Sequence, residues 1–134
     1  MEYTSFEDFK NSDIYGDFMK SNPDLGYLKI QTVGANGAVP VSDALVTIYK
    51  DIGEENIVFF EGRTDNSGII ENIVLPVSKG NNSNNPVESL YELKIVHPNY
   101  YPIERYSFGI ISGIKDIEYI EMSPIVNVEK TKNK

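Results

Sequence analysis

Few side chains in this 134-residue chain have both the type and the spacing to do chemistry. Cysteine is absent and His97 is the single histidine, which excludes disulfides, thiolate metal sites, cysteine nucleophiles and a histidine pair within one chain. A lone imidazole can act as a general base beside a positioned serine or cysteine, but the sequence has no nucleophile motif for it to activate. His97 precedes Pro98 at the end of an apolar run and reads as a capped or half-exposed structural residue. The oxygen-rich run Asp65-Asn66-Ser67-Gly68 lacks the alternating ligands and distal glutamate of an EF-hand loop, so it reads as a turn. Glu54-Glu55, and Asp116 with Glu118, would have to face one another about 5–9.5 Å apart across a cleft to hydrolyse a glycoside. Nothing in the sequence sets that geometry, and they read as a solvated rim. No catalytic, cofactor-binding or metal-binding residue is expected, and no cofactor.

Aromatic side chains are the more informative set. Tyr27 and Tyr49 fall on the polar phase of alternating runs, and one of the adjacent Tyr100 and Tyr101 must point outward, with Tyr101 the expected contact residue. Outward tyrosines stack on sugar rings or anchor protein interfaces, and equally serve to cover the edges of a sandwich. Phe59 and Phe60 are neighbours on one apolar run. Regular alternation sends only one of them inward and makes the other a contact candidate.

These residues need a scaffold. Ile and Val total 27 against 9 for Leu and Ala, a bias toward strand formers. Residues 1–25 differ from the rest, with six acidic residues, two lysines and the aromatics Tyr3, Phe6, Phe9, Tyr15 and Phe18. Thr4 with Glu7 fits a capping box, Phe6/Phe9 and Ile14/Phe18 recur at helical spacing, and Asn22-Pro23 stops any helix. This predicts an N-terminal arm of short helical segments, too short to be stable without a surface. The arm either packs on its own domain or docks Phe6, Phe9, Ile14 and Phe18 into another protein.

From residue 26 onward, alternation predicts seven strands, near 26–33, 44–49, 57–64, 69–75, 93–95, 103–108 and 116–122. Asn36-Gly37 and the Asp65–Gly68 run supply turns, and residues 79–86, with four asparagines, form a polar surface loop. Short strands at regular spacing, with no room for crossover helices, read as an all-β, seven-stranded antiparallel β-sandwich spanning 26–126. A flexible tail is expected at 127–134. Lys29, Lys50, Arg63 and Arg105 are the charges available to guard sheet edges.

Three stretches carry a family resemblance. The first is Gly26-Tyr27-Leu28-Lys29-Ile30-Gln31, with Gly37-Ala38-Val39-Pro40-Val41 and Ala44-Leu45-Val46-Thr47-Ile48. The second is Thr64-Asp65-Asn66-Ser67-Gly68 running on to Leu75-Pro76. The third is Tyr91-Glu92-Leu93-Lys94-Ile95 with Asn99-Tyr100-Tyr101-Pro102, closing at Met122-Ser123-Pro124. In order and spacing they resemble carboxypeptidase regulatory-like domains, which share a transthyretin-like (prealbumin-like) sandwich. The family often has Gly where Asn99 stands, and Asn tolerates the same left-handed backbone. The first stretch looks closer to a Firmicutes subset found in spore cortex-lytic, cell-wall and phage-associated proteins. The enzymatic branch of the fold, the hydroxyisourate hydrolases, uses several histidines, an arginine and a terminal Tyr-Arg-Gly-Ser. This chain has His97 alone and ends Glu129-Lys130-Thr131-Lys132-Asn133-Lys134, so the resemblance does not extend to that activity.

A net charge of −8 works against nucleic-acid binding, which needs a basic surface. No stretch approaches the ~20 apolar residues of a membrane-spanning helix, and Met-Glu-Tyr-Thr is unlike a secretory leader, so cytoplasmic synthesis without a signal peptide is expected. The function expected is that of a non-catalytic structural or protein-interaction module, with homo-oligomerisation one of its options, in a cytosolically built virion-like particle or injection system, or in a cell-wall- or spore-associated complex. The alternative is a module binding cell-wall polysaccharide or peptidoglycan through exposed tyrosines, with a small hydrolase ranked last.

Overall fold

The computed structural model describes residues 2–80 and 87–126, so most of the polar loop at 79–86 and the tail at 127–134 lie outside the described residues. The chain forms an all-β sandwich. In order come β1 (Tyr3–Thr4), α1 (Phe6–Lys10), α2 (Tyr15–Ser21), β2 (Asp24–Gly34), β3 (Val39–Pro40), β4 (Leu45–Ile52), β5 (Glu55–Arg63), β6 (Ile69–Val77), β7 (Glu88–His97), β8 (Tyr100–Ile111) and β9 (Lys115–Glu121). The seven long strands are those that alternation predicts, and β1 and β3 are short additions of two residues each.

One sheet runs β1-β5-β4-β7-β8, and in the other β2 is flanked by β6 and β9, with β3 beside its end. Leu28, Ile30, Ile73 and Leu75 from the second sheet meet Val46, Ile48, Tyr91, Leu93 and Ile95 from the first, all at most 1% exposed. Alternation explains the arrangement, since every second residue faces the opposite sheet. Thr32 and Thr64 are buried among these strands and are satisfied by the backbone. Both hydroxyls donate to Val41 O, at 2.8 and 2.7 Å, and Thr64 Oγ1 also accepts from Ala44 N–H.

The antiparallel expectation needs two corrections. β9 pairs parallel with β2, from Tyr27↔Lys115 to Val33↔Glu121, and β1 pairs parallel with β5. The first follows from the path of the chain, which leaves the first sheet at the end of β8 and crosses to the second. Gly113, at φ +74, turns this corner, and its N–H donates to Leu25 O at 3.0 Å while Ser112 Oγ donates to Asp24 Oδ2 at 2.7 Å. The expected edge guards also move. Lys29 and Lys50 lie on β2 and β4, which are interior strands, and β1 covers one end of the β5 edge.

Phe59 and Phe60 both face inward, contrary to regular alternation. The pairing Ile48↔Phe60 then Tyr49↔Val58 leaves Phe59 as an extra residue in β5. Such a bulge places two successive side chains against one on the neighbouring strand. Phe60 packs on the main core, and Phe59 packs on both that core and the helical arm.

Candidate functional site

The arm lies on its own sandwich. Phe9 is 1% and Phe18 7% exposed, and together with Ile57 they form a second cluster to which Phe6, Ile14, Tyr15, Met19, Ile52 and Phe59 add. The Phe9 ring stands 5.4 Å from those of Tyr15 and Phe18 and 6.1 Å from that of Phe59. Phe6, Phe9, Ile14 and Phe18 therefore meet β5 of this chain, the first of the two arrangements open to the arm, and do not offer a free docking face. The helix cap is one residue later than the Thr4–Glu7 spacing suggests: Ser5 Oγ accepts from Asp8 N–H at 3.1 Å. Thr4 instead belongs to β1, and its hydroxyl donates to Glu55 Oε1 at 2.7 Å.

Tyr49 is on the outward phase of β4 as expected, yet it is 0% exposed. Tyr3 of the arm covers it edge-on at 5.1 Å, and the Arg105 guanidinium lies 5.8 Å from its ring. Arg105 in turn pairs with Glu92 at 3.0 Å and Asp51 at 3.7 Å. This part of the outer face of the first sheet is thus roofed by the arm and closed by ion pairs. Burial raises the Tyr49 phenol above its ordinary range. Tyr101 is 54% exposed, and Tyr100 packs inward against the core.

The outer face of the second sheet is different. Leu25 is 50%, Tyr27 40%, Val74 47%, Ile117 59% and Tyr119 57% exposed. Cross-strand pairing explains their proximity: Leu25 faces Pro76, Tyr27 faces both Val74 and Lys115, and Ile117 and Tyr119 sit opposite Lys29 and Gln31. Lys29 and Lys115 both bind Glu71, at 3.5 and 3.3 Å, so a short charged row crosses the apolar face. A cavity between Tyr27, Asn72, Val74 and Lys115 indents it. Of the sequence-selected contact residues, only Tyr27 belongs to this surface. Leu25 and Val74 come from β2 and β6, and Ile117 and Tyr119 join them through β9, whose parallel placement the sequence does not announce.

β9 is inverted relative to ordinary amphipathicity. Its outward residues include Ile117 and Tyr119, while Asp116 and Glu118 share the inward phase with buried Ile120. Tyr106 of β8 donates to Glu118 Oε1 at 2.6 Å, and Asp116 Oδ2 is buried with no hydrogen-bond partner among the described residues. Burial, reinforced by Asp116, pushes the Glu118 carboxyl up to about 7, and burial with the Glu118 contact raises Tyr106 to about 12. A proton on Glu118 supplies the donor that Asp116 lacks. Inward charge of this kind deters a strand edge from pairing with a further strand.

The sign of the pH effect follows. Between the ordinary carboxyl value of 4.5 and about 7 the folded chain retains a proton that the unfolded chain has released. This contribution to stability is therefore full below 4.5 and is lost as pH rises to about 7. Glu118→Gln should flatten the pH dependence in that window, by on the order of 1 kcal/mol once solvent screening is allowed for. Urea titrations at pH 4.5 and 7.5 on both chains measure it, and an unchanged slope contradicts the assignment.

The remaining residues with chemical potential are held structurally. His97 Nδ1 accepts from Asn99 N–H at 3.0 Å, and its ring stands edge-on to Tyr100 at 5.1 Å. Asp65 Oδ1 accepts from the N–H groups of Ser67 and Ile69, at 2.8 and 2.9 Å, which is a turn made by an aspartate on its own backbone. Lys50 points between the sheets. Its Nζ donates to Leu90 O at 2.5 Å over the Tyr91 ring, and burial lowers its pKa. Among the described residues no group of three or more His, Asp or Glu is placed to hold a metal ion, and no helix is long and apolar enough to cross a membrane.

The fold is a β-sandwich similar to those in solved structures of pilins and of an enzyme. The minor pilin GBS52 of Streptococcus agalactiae matches 78% of this chain and 46% of its own, at 17% identity and a TM-score of 0.57. The shaft pilin spaA of Lactobacillus rhamnosus GG matches 77% of this chain and 51% of its own, at 14% identity and a TM-score of 0.53. The 3-chlorocatechol 1,2-dioxygenase of Rhodococcus opacus 1CP matches 76% and 60%, at 14% identity and a TM-score of 0.52. This chain spans about half the length of those proteins, and at such identity the likeness is one of fold alone. No protein-family model matches the chain, and no curated protein does.

Proposed function

We propose that this chain is a non-catalytic structural module that takes its place in a larger protein assembly through the outer face of its second sheet. The observation that carries this reading is that face itself: five large apolar side chains on one sheet, each 40–59% exposed, in a chain that has roofed Tyr49 on its other sheet. Clustered apolar surface of this kind, interrupted only by paired charges, marks an interaction site. The two pilins among the similar structures are assembly proteins by name, which agrees with the reading. The sequence resemblance to carboxypeptidase regulatory-like domains directs it toward a cytosolically built particle or a wall- or spore-associated complex, without cofactor or metal.

Two other readings are weaker. Sugar stacking called on Tyr27, Tyr49 and Tyr101 as outward rings; Tyr49 has no accessible ring face, and Tyr27 and Tyr101 lie on different sheets. Glycoside hydrolysis relied on paired carboxylates, and Asp116 and Glu118 face the sandwich interior, with Glu118 held by Tyr106. The charge of −8 works against a nucleic-acid partner.

Size fractionation of extracts from the source organism, followed with an antibody to the chain, tests the proposal. The chain is expected in fractions far larger than its own mass of 15.1 kDa. Recovery only at the size of the free chain or its dimer overturns the assembly reading.

A further inference from the structure

Resting on that reading, we infer that the outer face of the second sheet is occupied by the same face of a second copy of this chain, related by a twofold axis. Leu25, Tyr27, Val74, Ile117 and Tyr119 together leave open roughly 500 Å² of surface, near the upper end of what single chains expose. Pairing two such faces, with the lysine stems between them, buries on the order of 1,000 Å² or more, the size a specific contact needs.

Charge selects the occupant. The chain as a whole carries −8, so two copies repel one another through most of their surfaces. The centre of this face is the exception: Glu71 of β6 sits between Lys29 of β2 and Lys115 of β9, 3.5 and 3.3 Å from them, so the charges are paired within each copy and the face carries none of the negative excess that keeps copies apart elsewhere. The exposed acidic side of the arm, with Glu7, Asp8, Asp13 and Asp17, would satisfy the lysines in a head-to-tail contact. It would also bury Ile117 and Tyr119 against charged groups, which costs free energy. The same-face pairing sets apolar against apolar around charges already paired within each copy, and a twofold contact closes at the dimer.

Sedimentation velocity on the full chain over a concentration series tests this. A dimer is expected, with Ile117→Lys raising its dissociation constant about 30-fold or more while thermal unfolding stays cooperative. Glu71→Lys and Lys115→Glu are each expected to weaken the dimer, and mixing the two chains to restore it as a heterodimer. These charge reversals keep the test decisive if Ile117→Lys folds poorly. A monomer at concentrations up to about 1 mM overturns the inference. So does a dimer indifferent to Ile117→Lys, an open-ended series of sizes, or a mixture of the two charge variants that fails to pair. A monomeric pure chain that still runs in large fractions of extract overturns the twofold while leaving the assembly reading in place. A pure dimer that runs free in extract does the reverse.

Discussion

Replacing Phe9 by alanine is expected to cost about 3–5 kcal/mol of folding stability, as truncating a buried phenylalanine does. The ring is 1% exposed and meets the rings of Phe6, Tyr15, Phe18 and Phe59 at centroid distances of 5.4–6.1 Å. Helices of five and seven residues have no stability of their own. What orders the arm is this cluster on Ile57 and Phe59, and the arm is what covers Tyr49 with Tyr3. The lost contacts therefore propagate. In a chain of this length the midpoint of thermal unfolding should fall by roughly 10–18 °C, with Phe9→Leu losing much less. A loss below about 1 kcal/mol for Phe9→Ala contradicts the account, because the arm would then be an ornament on a sandwich complete without it.

Gly68→Ala should be nearly as damaging, for a different reason. Gly68 has φ +76, and a methyl group there would lie 2.4 Å from Thr32 O and 3.1 Å from Val41 N. Both contacts are backbone and neither has slack, since Val41 N–H donates to Thr32 O at 3.0 Å and Thr32 N–H donates to Gly68 O at 2.8 Å. The left-handed conformation costs an L-residue about 1–2 kcal/mol. Forcing the three segments apart adds about 1–3 kcal/mol and disturbs the buried Thr32 and Thr64 bonds to Val41 O. Gly113→Ala separates the two effects. Gly113 has nearly the same φ, +74, but nothing lies within 4 Å of the position a methyl would take. Gly68→Ala should therefore lose about 1–3 kcal/mol more than Gly113→Ala in urea titrations. Equal losses contradict the close approach at Gly68.

The strands were legible because alternation is a local property. Leu28/Ile30, Val46/Ile48 and Leu93/Ile95 each declare a face, and the opposing sheet then buries it. Register and neighbours are not local, and alternation does not carry them. The bulge that turns both Phe59 and Phe60 inward is set by pairing with β4, and no pattern inside β5 reveals it. Tyr49 is on the phase that alternation assigns; what buries it is Tyr3, 46 residues earlier in the sequence, carried there by a parallel β1. β9 shows the same limit most clearly. Its alternation separates Ile117 and Tyr119 from Asp116 and Glu118, but composition favours the wrong set as inward. The parallel seat beside β2 decides, with Ile120 and Met122 continuing the inward phase into the core. Hence the candidate surface was glimpsed in the sequence only at Tyr27.

A lysine-labelling footprint on the assembly recovered from extract, set against the same chain after dissociation, tests most directly which surface this protein uses. Lys29 and Lys115 lie in the outer face of the second sheet, and Lys10 and Lys20 lie on the arm. Labelling of Lys29 and Lys115 is expected to fall severalfold in the assembly while Lys10 and Lys20 react as they do in the free chain. Protection of Lys10 and Lys20, with Lys29 and Lys115 left reactive, would show that the arm makes the contact and that the apolar face does not.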